Sequence, residues 1–186
     1  MAFGAWATYI VVFFERQYGV ARDVASTYAL VQGVGLLIGT QLGPNVTSRL
    51  GARVSLAVSL CGYGLVLVGV TALGPPLPLA IGACLVAATL YGFRATSNAL
   101  LMTDQVPDAR STMFGLSATT VAAANASAAT AAGVALDVVG FPAIGLICLG
   151  TGAVSAALVM TLVREVVVRK SVAERAAEAE VAVPTV

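Results

Sequence analysis

The chain has 186 residues, of which 59% are hydrophobic and only 10% charged, and its net charge is +1. Soluble domains carry about 25% charged residues, so composition excludes a disordered chain, a nucleic-acid binder and an ordinary soluble enzyme. The mean hydropathy of +0.93 points to lipid as the surrounding solvent, and the absence of histidine excludes His-based acid–base or metal chemistry.

A helix that crosses a bilayer needs about 20 mainly apolar residues. Taken along the chain, six stretches meet or approach that length: 1–14, which is short, 24–46, 54–73, 77–102, 113–136 and 139–163. Charge, Gly or Pro interrupts them at Glu15–Arg16, at Arg49–Leu50–Gly51–Ala52–Arg53, at Gly74–Pro75–Pro76, from Asp104 to Arg110 and from Asp137 to Pro142. Barrel strands are about 10 residues long and alternate in polarity; these runs are longer and do not alternate. The expectation is an all-α integral membrane protein, with six antiparallel transmembrane helices over residues 1–163 and a cytoplasmic tail over 164–186. The tail alternates charge with Ala and predicts a short exposed helix that frays near Pro184.

Basic residues set the orientation. One side of the six-span arrangement holds Arg49, Arg53, Arg110, Arg164, Arg169, Lys170 and Arg175, and the other holds Arg16 and Arg22. Both termini are therefore expected in the cytoplasm of a multi-pass protein of the cell (inner) membrane. The first apolar run has no basic residue before it and five more runs after it, so it does not read as a secretory signal. It begins at residue 1 with no leading segment, which reads as a chain cut from something longer.

Cys61, Cys84 and Cys148 are dispersed through apolar runs and predict buried packing, neither disulfides nor a zinc site. No nucleotide-binding, nucleophile or metal-ligand pattern is present. No catalytic residue, metal or cofactor is expected, and the expected partners are a small-molecule substrate and the lipid bilayer. No Asp, Glu or His falls inside a span, so no proton-relay group is expected in this chain.

Two segments carry a resemblance. The stretch from Gly39 to Arg53 reads GTQLGPNVTSRLGAR, and VPDARSTMFGL precedes a helix with Asn125 and Gly133. The first resembles the cytoplasmic loop signature of the major facilitator superfamily, roughly G-x-x-x-D-R-x-G-x-R, through Arg49, Gly51 and Arg53. Ser48 stands where that family has an acid and Pro44 where it has the leading Gly. The second is similar, through Pro107 and Arg110, to the P-x-x-R-G segment after helix ten of drug- and sugar-efflux members, with Ser111 in place of the Gly. The resemblance implies that residues 1–163 correspond to helices seven to twelve of that family. It also implies a secondary transporter that exports a small molecule by alternating access, with an N-terminal six-helix half missing as a partner. Two other readings stay open: a complete six-span carrier or pore that works as a homodimer, and a non-transporting scaffold or remnant.

Helices in lipid associate through small residues and polar contacts. Gly35, Gly39 and Gly43 form a spacing-four stripe that predicts a close helix–helix seam, and Ala124, Ala128, Ala132 and Gly133 do the same in the fifth span. Arg94 lies inside the fourth span, where a charge needs a partner, hydration or a path to the headgroups. Tyr91, Arg94 and Asn98 share a helix face and, with Gln32 and Asn125, are the candidate substrate contacts. For Arg94 the alternative is a side chain that snorkels to the cytoplasmic headgroups; for Gln32 and Asn125 it is interhelical hydrogen bonding.

Overall fold

The computed structural model describes residues 2–105 and 109–162, and among them there is no strand. The elements are α1 (Ala2–Tyr18), α2 (Arg22–Leu50), α3 (Ala52–Leu73), α4 (Leu77–Gln105), α5 (Arg110–Val138) and α6 (Phe141–Leu162). Four of them, α3 to α6, are long and apolar enough to cross a membrane. α1 has 17 residues, about 26 Å by helical rise. α2 has 29 residues but interrupts its apolar run with Gln32, Gln41 and Asn45. A multi-pass membrane protein follows, with α1 and α2 in the same bundle.

The surface agrees. Large apolar side chains point outward all along the helices, with Leu73 82%, Leu30 70% and Leu37 65% exposed. In water such continuous apolar cover is an aggregation liability; in hydrocarbon it is the expected exterior. The interior is instead aromatic and small. Trp6, Phe13 and Phe14 of α1 are fully buried, with ring centroids of Phe13 and Phe141 5.2 Å apart and those of Phe14 and Tyr28 5.5 Å apart. The Tyr18 hydroxyl donates to the Pro75 carbonyl at 2.6 Å, which pins α1 to the α3–α4 connection.

Helix ends differ from the expected span ends. α1 continues through Glu15 and Arg16, α4 through Asp104, and α5 through Asp137. A charge ends the stretch that lipid accepts, but it does not break a helix. The Arg-bearing segment between the second and third spans is likewise no loop: α2 runs past Pro44 to Leu50, and α3 begins at Ala52. The joint is the single residue Gly51. Its φ of 83° and ψ of 148° fall near a region that essentially only Gly occupies, at a cost of about 1–3 kcal/mol for other residues. Its N–H donates to the Thr47 carbonyl at 2.9 Å and its carbonyl accepts from Ser55 N–H at 3.0 Å, so both helices are stitched through it. Gly51→Ala should lower the unfolding midpoint in detergent by the equivalent of about 1–3 kcal/mol. An unchanged midpoint in a thermal circular-dichroism scan would mean that the joint relaxes freely.

Packing follows the small residues. α2 lies closest on α4, α3 on α4 and α6, and α1 against α5 and α6. Gly35, Gly39 and Gly43 face Ala88, Gly92 and Thr96 across the α2–α4 seam, a second spacing-four row. At Gly92 a Cβ would lie 2.7 Å from the Gly39 Cα, so the two backbones touch. One turn on, buried Thr47, Ser55 and Ser97 join α2, α3 and α4 through hydroxyl contacts of 3.0 Å each. On α3–α6 the seam is made by Gly64 against Leu149 and by Gly152 against the Leu60 carbonyl. Exchanging the first three helices with the last three maps α2–α4 onto α5–α1 and α3–α4 onto α6–α1, and leaves α3–α6 unchanged. Because the helices alternate in direction, the exchange pairs helices that run opposite ways, although α2–α4 and α3–α4 pack far more extensively than α1–α5 and α1–α6.

Candidate functional site

A cavity of about 350 Å³ is walled by five of the helices. α1 contributes Phe3, α3 Leu60 and Tyr63, α4 Tyr91 and Arg94, and α5 Val121 and Asn125. α6 contributes Gly150, Thr151, Gly152, Val154 and Ser155. The structure thus gathers three expected residues, Tyr91, Arg94 and Asn125, and separates two others. Asn98 lies seven residues beyond Tyr91, about 10 Å along the axis; its amide nitrogen sits 3.7 Å from Met102 Sδ, and it does not line the cavity. Gln32 is on α2, the one helix that contributes no wall.

Arg94 is placed by its neighbour one turn back. Its guanidinium carbon lies 5.0 Å from the centroid of the Tyr91 ring, and that ring stacks on Phe3 at 4.0 Å with planes 16° apart. The side chain therefore turns inward and towards the start of α4, away from the Gln105 end to which a snorkelling arginine would reach. Among the described residues Arg94 has no carboxylate partner. Magnitudes show that the ring alone does not compensate the charge. An arginine at the middle of a span costs roughly 2.5–3.5 kcal/mol even on insertion scales, whereas a cation–π contact returns about 0.5–2 kcal/mol. An anion at the guanidinium would close the difference.

Two further residues of the wall are polar. Tyr63 is 4% exposed, and its hydroxyl has no hydrogen-bond partner among the described residues. Leaving such a group unpaired costs about 1–3 kcal/mol. Asn125 is brought in by Gly4, where a Cβ would lie 2.8 Å from Asn125 Oδ1, so α1 can approach α5 closely at that level. The Thr151 hydroxyl, by contrast, donates to its own helix at the Ile147 carbonyl, 2.7 Å away.

Tyr63 reads from the sequence, like Gln32 and Asn125, as a polar residue within a span that serves either interhelical hydrogen bonding or substrate contact; it lies on the wall, and its hydroxyl bonds to no other helix among the described residues. The α6 wall was not among the residues expected from the sequence, although a signal existed: Gly150, Thr151, Gly152 and Ser155 form a small and polar patch in an otherwise apolar helix. The α5 stripe faces α1, with Ala128 and Ala132 buried and Tyr9 donating to the Ala129 carbonyl at 3.2 Å. Cys84 and Cys148 are buried and Cys61 half-buried, and none of the three is in a disulfide. No group of residues able to hold a metal occurs among the described residues. In the Arg-bearing segment, Arg49 is exposed on the last turn of α2 and Arg53 lies on the first turn of α3. Arg110 is the first residue of α5. Pro107 and the tail from 164 to 186 lie outside the described residues. No family model, curated protein or solved structure matches the chain.

Proposed function

We propose that the chain is a six-helix half of a major-facilitator-type secondary transporter and exports a small molecule by alternating access. The observation that carries the reading is a largely apolar cavity among the helices with an uncompensated arginine on its wall. An ionisable residue kept within a membrane bundle ordinarily serves a pathway or a ligand. The exchange relation between the first and last three helices adds support, because inverted three-helix units recur within transporter halves. The Gly35–Gly39–Gly43 seam suits the same reading, since backbones in contact through Gly meet few side-chain obstacles when they slide. On this reading all six helices cross the membrane and the Gly51 joint faces the cytoplasm.

Reconstitution tests the reading. The full chain is placed in proteoliposomes alone, and together with a separately expressed six-helix half from a drug exporter, and the uptake of labelled drugs and sugars is followed. Flux that requires both halves supports it. Equal, nonzero flux from the chain alone favours a homodimeric six-span carrier instead, and no flux in either case removes transport from consideration.

A further inference from the structure

We infer that the cavity binds the carboxylate of a small amphiphilic organic anion, with Arg94 as its anchor. This names a substrate class for the transport reading and rests on it for the step of translocation; the anchor itself is a residue of this chain. The charge count selects the class. The wall carries one cation, Arg94, and its other polar groups, Tyr63, Asn125, Thr151 and Ser155, are neutral. A single carboxylate neutralises that cation and can accept two parallel hydrogen bonds from its guanidinium. A dianionic phosphate would leave a net charge behind in a low-dielectric site.

The geometry selects the shape. The guanidinium is held over Tyr91 at 5.0 Å, so its edge stays available for a bidentate contact. The Tyr91 ring lies 6.0 Å from the Tyr63 ring and stacks on Phe3, so aromatic rings wall the space next to the guanidinium. The rest of the wall, with Phe3 and Val121 prominent, is apolar and suits an aromatic or aliphatic body. A volume of about 350 Å³ is at the lower end of small-molecule pockets, roughly 300–1,000 Å³, so the ligand is small.

The test uses the purified full chain in phosphatidylcholine nanodiscs, with 1-naphthoate and its neutral isostere 1-naphthamide as probes, measured by equilibrium dialysis. The acid is expected to bind at least tenfold more tightly than the amide. Arg94→Gln should bring the two within about twofold of each other, and Arg94→Lys should keep part of the preference. Tyr63→Phe should keep the acid preference and leave the unfolding midpoint unchanged or raised, because it removes an unpaired buried hydroxyl. Arg94→Lys serves as the second variant should Arg94→Gln fail to fold. Near-equal binding of acid and amide by the wild-type chain, or an acid preference that Arg94→Gln retains, overturns the inference. So does displacement of naphthoate by phosphatidylglycerol added to the nanodisc, which would assign Arg94 to a lipid headgroup. An acid-selective site in a chain that moves nothing sinks the transport reading and leaves this inference standing; flux without acid preference does the reverse.

Discussion

Gly39→Leu should part α2 from α4 and cost the bundle about 3 kcal/mol or more, at the upper end of overpacking penalties. Even the first added carbon has no room: a Cβ there would meet the Thr89 carbonyl oxygen and come within 2.9 Å of the Gly92 Cα. Both obstacles are backbone, so no rotamer change relieves them. The same substitution at Gly33, two turns earlier on the same helix, meets nothing within 4 Å. Gly33→Leu should therefore be neutral or slightly stabilising, since Leu exceeds Gly in helix propensity by up to about 1 kcal/mol. Resistance to unfolding in mixed micelles of rising SDS content reads the pair directly. Equal resistance of the two variants would mean that the seam is not as close as the Gly39–Gly92 approach requires.

Arg94→Ala should separate function from folding. If the guanidinium holds a ligand anion, its loss removes roughly 2 kcal/mol or more of interaction, a fall of about 30-fold in affinity, with a matching loss of flux at low substrate concentration. Stability should be unchanged or higher, because the unfilled bundle no longer shelters an unmatched cation. The two effects are read on one preparation, uptake in proteoliposomes and thermal midpoint in detergent. A collapse of the fold with the activity would instead make Arg94 a structural residue held by Tyr91.

The six helices and their order were legible in the sequence, because each apolar run is closed by charge, Gly or Pro. Their ends were not. Glu15–Arg16 lies within α1 and Asp137 within α5, since solvation chooses where a span stops while backbone hydrogen bonding chooses where a helix stops. The glycines of α2 stood out by spacing, but their counterpart Ala88, Gly92 and Thr96 did not, as Ala and Thr are common throughout these helices. Which seam each row joins depends on the packing of α2 on α4, and no local pattern encodes that. Within the site, Tyr91, Arg94 and Asn125 were legible as polar residues in apolar runs. Gln32 carried the same signal and lies elsewhere, because polarity inside a span says that a partner is needed and not which one. Asn98 shares a face with Tyr91 but not a level, and sequence periodicity is blind to depth. The Gly51 joint was legible as a residue of interest, while its being the whole connection was not.

The placement of Trp6 has a practical consequence. It is the chain's single tryptophan, fully buried beside Phe13 at 5.3 Å, on the same helix as Phe3 but outside the cavity wall. Its indole emission should sit at the blue end of the range and collapse to longer wavelength only when the bundle comes apart, which gives an optical gauge of integrity that needs no label. Since the fluorophore stands one turn from Phe3, a shift of its emission on adding an aliphatic carboxylate that neither absorbs nor emits in this range would register displacement of α1 itself rather than mere occupancy.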